Sequence, residues 1–123
     1  MERSDFEAFV SNIFGEKPDR PFEDDPTIAV FRHNDNRKWF GVVMTIPKKK
    51  LGIKDEGYID IINLKCAEEI IDSLRGESGI YPAYHMNKRH WISVALDGSA
   101  DLDTIEWLIT ISYQLTEKKK KLR

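Results

Sequence analysis

The sequence predicts an α+β domain in two layers, with an antiparallel sheet and helices packed on one of its faces. Apolar residues recur at helical spacing near both ends of the chain and once in its middle. Segments rich in β-branched and aromatic residues lie between them. The resulting order of helix, strands, helix, strand and helix is typical of that architecture.

Length and composition restrict the kind of protein this is. With 123 residues, the chain suits a single domain over 1–123, of which 118–123 form a basic tail. A charged content of 33%, an aromatic content of 11% and a mean hydropathy of -0.49 indicate a well-solvated globule. Short apolar runs and the absence of a signal-peptide pattern at the N-terminus predict a cytoplasmic protein without membrane contact. The one cysteine, Cys66, excludes an intramolecular disulfide.

The first predicted helix follows Ser4. Ser4 and Glu7 match a capping box, in which two side chains bond to free backbone N–H groups. The helix is expected to end at Gly15, because glycine readily adopts the left-handed conformation of a helix C-terminus. Its apolar stripe at helical spacing consists of Phe6, Phe9, Val10, Ile13 and Phe14.

Strand signals follow the first helix and a proline-containing connection. Residues 27–33 and 37–46 are rich in β-branched and aromatic side chains, and 34–36 supply turn residues, so a hairpin is expected. Residues 48–57 form a basic loop, and 58–64 are a third strand.

The second half contains two more helices and a strand. A short helix is predicted to stop at Gly76, and its apolar positions are Ala67, Ile70, Ile71 and Leu74. Residues 90–96 alternate as a strand does. The last helix is predicted from about Asp101 toward Lys118, and its buried stripe consists of Leu102, Ile105, Leu108, Ile109, Ser112 and Leu115, widened by Trp107 and Ile111.

Charge is distributed unevenly along the chain. The formal net charge is -2, but the first 26 residues alone carry -5, which leaves +3 on the remainder. The basic residues concentrate at Lys48–Lys50 with Lys54, at Lys88 and Arg89, and at Lys118–Lys121. Each concentration could attract a polyanion.

The segment from Tyr84 to Trp91 combines two fixed cations, two imidazoles, an amide and aromatic rings. Lys and Arg bind phosphate oxygens, Asn and Arg can read base edges, and aromatic rings can stack on bases. The candidate nucleic-acid-binding residues are Tyr84, His85, Asn87, Lys88, Arg89, His90, Lys48, Lys49 and Lys50. The same side chains also suit a solvated turn, and a pI of about 5.9 is unlike that of most DNA-binding domains.

Three other functions remain open at this point. Tyr81, Tyr84, Trp91 and His85 could instead form the surface of a protein–protein adaptor or a small-ligand sensor. Cys66 could act as a nucleophile with a histidine, although a cysteine at the start of an amphipathic helix is more often a packing residue. No enzyme activity is therefore predicted. The histidines are too scattered to suggest a metal centre, and no metal or cofactor is predicted either.

Residues 81–99 read YPAYHMNKRHWISVALDGS, and this run resembles the signature of the MmcQ/YjbR family. Residues 63–66, which read NLKC, and the Ser112-Tyr113 pair are similar to that family too. The resemblance implies a frataxin-like (CyaY-like) fold in a double-wing arrangement, and DNA as the binding partner. This chain departs from the family pattern in its lysine-rich loop at 47–57 and at Ile92-Ser93.

Overall fold

Five strands and three α-helices make up the fold, as seen in a computed structural model that describes residues 2–118. All strand pairs are antiparallel, in the order β1-β2-β3-β5-β4, so the predicted α+β class is confirmed. The elements are α1 Arg3–Phe14, β1 Ala29–Arg32, β2 Trp39–Pro47, a 3-10 helix at Lys48–Leu51, β3 Tyr58–Lys65, α2 Glu68–Leu74, β4 Ile80–Pro82, β5 Trp91–Ala95 and α3 Leu102–Thr116.

One face of the sheet packs against the helices, and we call it the helix face. Side chains alternate between the two faces of a strand, so Ile62 and Leu64 of β3 lie beside Ile92 and Val94 of β5 on this face. All three helices contribute to the same buried cluster, through Phe6, Val10, Ile71, Leu74, Ile105, Leu108 and Ile109. The helices therefore cover one face of the sheet, as the sequence predicts.

The opposite face is covered by loops, and we call it the loop face. Ile46, Ile59, Ile61 and Ala95 form a second buried cluster there. Leu51 and Ile53 pack on it from the segment after β2, and Tyr81 and Tyr84 pack on it from β4 and the segment that follows. The loops that cover this face carry polar and aromatic side chains, and some of these side chains are exposed to solvent.

The N-terminus of α1 differs from the sequence prediction. The helix begins at Arg3 after Glu2, which makes no side-chain cap, so the capping box of Ser4 and Glu7 is wrong. The Glu7 carboxylate instead accepts hydrogen bonds from the guanidinium groups of Arg3 and Arg20. The predicted end is confirmed, because Gly15 has a left-handed φ of 71°.

Strand β4 is absent from the sequence-based prediction. It has three residues, pairs only with β5 within residues 2–118, and ends in Pro82. Proline is tolerated at an edge strand, because an N–H group that faces away from the sheet is not needed there. A strand this short gives no alternation that a sequence pattern can detect.

Helix α3 buries a narrower stripe than predicted. Trp107 is 53% exposed, Leu115 45% and Leu102 39%. At about 100° per residue, Trp107 lies opposite the buried line of Ile105, Leu108, Ile109, Ser112 and Thr116, whereas Leu102 and Leu115 lie at its two edges. Within residues 2–118, no helix is both long enough and apolar enough to cross a bilayer.

Candidate nucleic-acid interface

A buried polar network holds the segment after β4 on the loop face. Asn63 and Ser93 are cross-strand partners with fully buried side chains. The Asn63 amide donates to the Tyr84 carbonyl at 3.0 Å, and the Tyr84 N–H donates to the Ser93 hydroxyl at 2.8 Å. The Ser93 hydroxyl in turn donates to the Asn63 carbonyl. Both backbone polar groups of Tyr84 are thus satisfied from the sheet, which fixes the position of this residue.

Tyr84 and His85 form a stacked pair. Their ring centroids lie 4.0 Å apart and the ring planes are 13° from parallel. Tyr84 is half-buried against the loop-face cluster, whereas His85 is exposed. His85 also has a left-handed φ of 56°, which is uncommon outside glycine. The structure therefore presents an aromatic ring to solvent on a backbone of defined conformation.

The residues from Asn87 to His90 form a turn. The Asn87 side-chain oxygen accepts from the backbone N–H of Arg89 at 2.8 Å, and the backbone carbonyl of Asn87 accepts from the Trp91 N–H at 2.9 Å. The Arg75 guanidinium donates to the Lys88 carbonyl. Asn87 is consequently used in shaping the turn, which is the plainer of the two interpretations that its sequence context allows.

Lys88 and Arg89 differ in their surroundings. Two guanidinium nitrogens of Arg89 donate to one Glu68 oxygen, at 2.7 and 3.1 Å. The hydrogen bond and the positive charge of Arg89 lower the pKa of the Glu68 carboxyl. For Lys88, which is exposed, no ion pair occurs among residues 2–118. Glu68 thus offsets the charge of Arg89 locally but not that of Lys88.

The lysines at 48–50 lie at the other end of the sheet from this turn. They form the 3-10 helix directly after Pro47, which pairs with Tyr58 at the start of β3. The turn at 87–90 precedes Trp91, which pairs with Lys65 at the end of β3. Eight residues of strand span about 23 Å, so the two basic groups do not form one continuous patch. The predicted lysines at 119–121 lie outside the described residues.

Aromatic side chains lie on the loop face between the two basic groups. Tyr81 and Trp91 are both half-buried there. Lys65, also half-buried, is the cross-strand partner of Trp91, so a cation and an indole ring are neighbours on this face. Sequence reasoning names Asn63 and Lys65 as part of the family resemblance and Ser93 as part of a departure from it, but assigns none of the three to the interface. Asn63 and Lys65 follow Ile61 in steps of two residues, and Ser93 lies two residues before Ala95. These spacings assign them to the loop face once the strand pairing is known.

The helices carry most of the excess negative charge. Their one base, Arg3, stands against seven acids, which are Asp5, Glu7, Glu68, Glu69, Asp72, Asp103 and Glu106. That is a net charge of -6 on the helices, whereas the strands and loops of residues 2–118 carry 14 bases and 14 acids and are neutral overall. The helices therefore account for the whole net negative charge of residues 2–118.

Cys66 lies in the core and is 2% exposed. Burial raises the pKa of its thiol, and a hydrogen bond with the backbone of Ala67 opposes that shift only in part. A reactive cysteine needs the reverse change, because the thiolate is the nucleophile. Among residues 2–118, no three His, Cys, Asp or Glu side chains are grouped so that they could hold a metal ion.

Comparison with known proteins identifies one relative over nearly the whole chain and another over half of it. The Bacillus subtilis protein described as uncharacterized protein YyaQ is 43% identical over 117 residues, which cover 95% of this chain and 99% of that protein. Escherichia coli YjbR is 40% identical over 67 residues, covering 50% of this chain and 57% of YjbR.

Solved structures share the fold. A Pseudomonas syringae protein superposes with a TM-score of 0.92 at 47% identity, over 95% of this chain and 100% of that one. Deinococcus radiodurans protein DR2400 has a TM-score of 0.65 at 24% identity, over 93% of this chain and 80% of that one, which supports the fold alone. The model of the YjbR family matches residues 13–115, and the chain accordingly belongs to the YjbR family.

Proposed function

We propose that the protein is a non-enzymatic binding module that binds DNA in the cytoplasm through its loop face. The observation that carries this proposal is the position of lysines at both ends of the loop face, while the net negative charge of residues 2–118 lies on the helices. Seven of the acids lie on helices, whereas Lys48–Lys50 and Lys88 flank an aromatic-bearing sheet face. A phosphate backbone would be attracted to this face and repelled by the helix layer.

The number of lysines indicates how strongly binding would depend on salt. If Lys48, Lys49, Lys50 and Lys88 each neutralise one phosphate, the slope of log K against log salt is about -3 for single-stranded DNA and about -4 for a duplex. Four contacts are few, so all of them must lie where one DNA molecule can reach them. A slope of this size also means that the affinity falls about 10-fold for each doubling of the salt concentration. The overall charge of -2 does not prevent such binding, because exposed charges are screened beyond about 8 Å at that ionic strength.

The test is fluorescence anisotropy with a short labelled DNA, titrated at several salt concentrations. Lys88→Ala should reduce both the affinity and the magnitude of the salt slope, and Lys48→Ala, Lys49→Ala and Lys50→Ala combined should reduce them further. Lys17→Ala removes an exposed lysine from the acidic N-terminal segment and serves as the matched control. Binding that is equally weak in all variants and insensitive to salt would contradict the proposal. It would favour the alternative, a protein–protein adaptor or small-ligand sensor that uses the Tyr81, Tyr84, Trp91 and His85 surface.

A further inference from the structure

The stacked pair of Tyr84 and His85 suggests which form of DNA is bound. We propose that the exposed side of the His85 ring is a stacking platform for an unpaired base, so that the loop face selects single-stranded over duplex DNA. This inference rests on the proposed function, since it concerns the substrate of the same surface. It is argued from the geometry of the pair, its support by the sheet and the spacing of the cations.

The geometry of the pair leaves one ring surface available. Tyr84 covers one side of the His85 ring at a centroid distance of 4.0 Å, and His85 as a whole is exposed. A planar group on the free side would extend the stack from Tyr84 through His85. Bases within a duplex already stack on their neighbours, so an unpaired base is the natural partner for such a surface.

The pair is held in place before any ligand arrives. The buried Asn63 and Ser93 side chains bond to both backbone polar groups of Tyr84. His85 keeps its left-handed backbone, where glycine or asparagine would be the usual choice in a plain turn. Uncommon backbone conformations that the surrounding structure enforces are concentrated at binding sites. A preorganised ring loses little freedom on binding, which favours affinity.

The spacing of the cations suits a strand that crosses the sheet. Lys48–Lys50 and Lys88 lie beyond opposite ends of β3, a strand about 23 Å long, and the aromatic residues lie between them. A single strand that runs from one basic group to the other would contact phosphate at both ends and expose its bases to the aromatic side chains between. A few nucleotides in one groove is the scale on which aromatic-bearing β-sheet surfaces bind single strands.

The experiment compares three probes of equal length, namely a thymidine oligonucleotide, the same sugar-phosphate backbone without bases, and a duplex. The wild-type protein should bind the thymidine strand more tightly than the other two. His85→Gly removes the ring and suits the left-handed φ, so the fold should be retained. This variant should bind the thymidine strand about 10-fold more weakly, within the range measured for loss of one base stack. Its affinity for the abasic strand should be unchanged.

Two controls separate stacking from charge and from general loss of an aromatic ring. Lys88→Ala should weaken binding of the thymidine and abasic strands by the same factor. Trp107→Ala removes a 53% exposed ring from α3, in the helix layer, and should change neither affinity.

The outcomes distinguish the two proposals. Equal binding of the thymidine and abasic strands, an unaffected His85→Gly variant, or tighter binding of the duplex would overturn the stacking inference and leave DNA binding intact. Failure of the wild-type protein to bind all three probes would overturn both.

Discussion

Two neighbouring residues with the same formal charge contribute differently to the candidate interface. Arg89 is held by Glu68, while the side chain of Lys88 has no ion pair within residues 2–118. Both Arg89 and Glu68 are substantially exposed, so water screens their attraction and the pair adds little to stability. Its main effect is to reduce the positive potential of the turn.

The first prediction follows from this pair. Glu68→Gln removes the negative charge beside Arg89, so we expect tighter DNA binding by a few-fold at low salt and a steeper salt slope by about one phosphate contact. Anisotropy titrations measure both. The matched control is Glu69→Gln, which makes the same charge change at the next exposed residue, where no ion pair is found in the described part of the chain. An equal gain from both variants would mean that Arg89 does not reach the DNA.

At this scale the sequence located the segment but not its internal roles. Residues 84–90 are identified by composition alone, because cations, imidazoles and aromatic rings are concentrated there. The Glu68 partner is 21 residues from Arg89, and the Asn63 and Ser93 supports become neighbours only through strand pairing. Contacts of this kind depend on tertiary structure, so no local pattern reveals them.

Among the elements, α3 shows best how helix and sheet are joined. The Ser112 hydroxyl is fully buried, donates to the Phe40 carbonyl at 2.6 Å and accepts from the Lys65 N–H at 2.9 Å. The ladder between β2 and β3 ends at the pair of Val42 and Asn63, beyond which these backbone groups have no partner across it. One serine of α3 therefore satisfies both strands where they diverge.

The second prediction is that Ser112→Ala destabilises the protein by about 1–3 kcal/mol, because it leaves a buried carbonyl and a partly buried N–H without partners. Urea unfolding followed by tryptophan fluorescence measures the loss. Ser73→Ala in α2 is the control, since Ser73 is exposed and its hydroxyl makes only a 3.4 Å contact with the Ile70 carbonyl. Equal stability of the two variants would contradict the prediction and would mean that the hydrogen bonds of Ser112 add nothing to the free energy of unfolding.

The elements themselves were predicted where the sequence pattern is long and regular. Helices α1 and α3 and strands β2 and β3 follow their apolar spacing to within a few residues. The width of the α3 stripe was wrong, because Trp107 and Leu115 are apolar yet exposed. Apolar character alone does not state which side of a helix is covered; that depends on where the neighbouring elements pack.

At the scale of the whole molecule, net charge is distributed unevenly: among residues 2–118 the helices carry -6, whereas the strands and loops are neutral overall. A total charge of -2 would predict weak repulsion of DNA. Seven of the 21 acids lie on the helices; Glu68 of α2 reaches the turn through Arg89, whereas Glu106 of α3 belongs to the layer on the opposite face of the sheet from the loop face. Because screening at physiological salt acts over about 8 Å, the local charge of each layer should matter more than the total.

The third prediction tests this separation with two variants that change the net charge by the same amount. Glu56→Lys, in the loop that carries Lys49, and Glu106→Lys, on the exposed side of α3, each raise the formal charge from -2 to zero. If binding depends on the loop face, Glu56→Lys should tighten DNA binding several-fold at physiological salt, whereas Glu106→Lys should leave it nearly unchanged. At about 10 mM salt the screening length grows to roughly 30 Å, so the Glu106→Lys variant should then gain affinity too. Equal gains from both variants at physiological salt would show that total charge governs binding and that neither layer is the preferred surface.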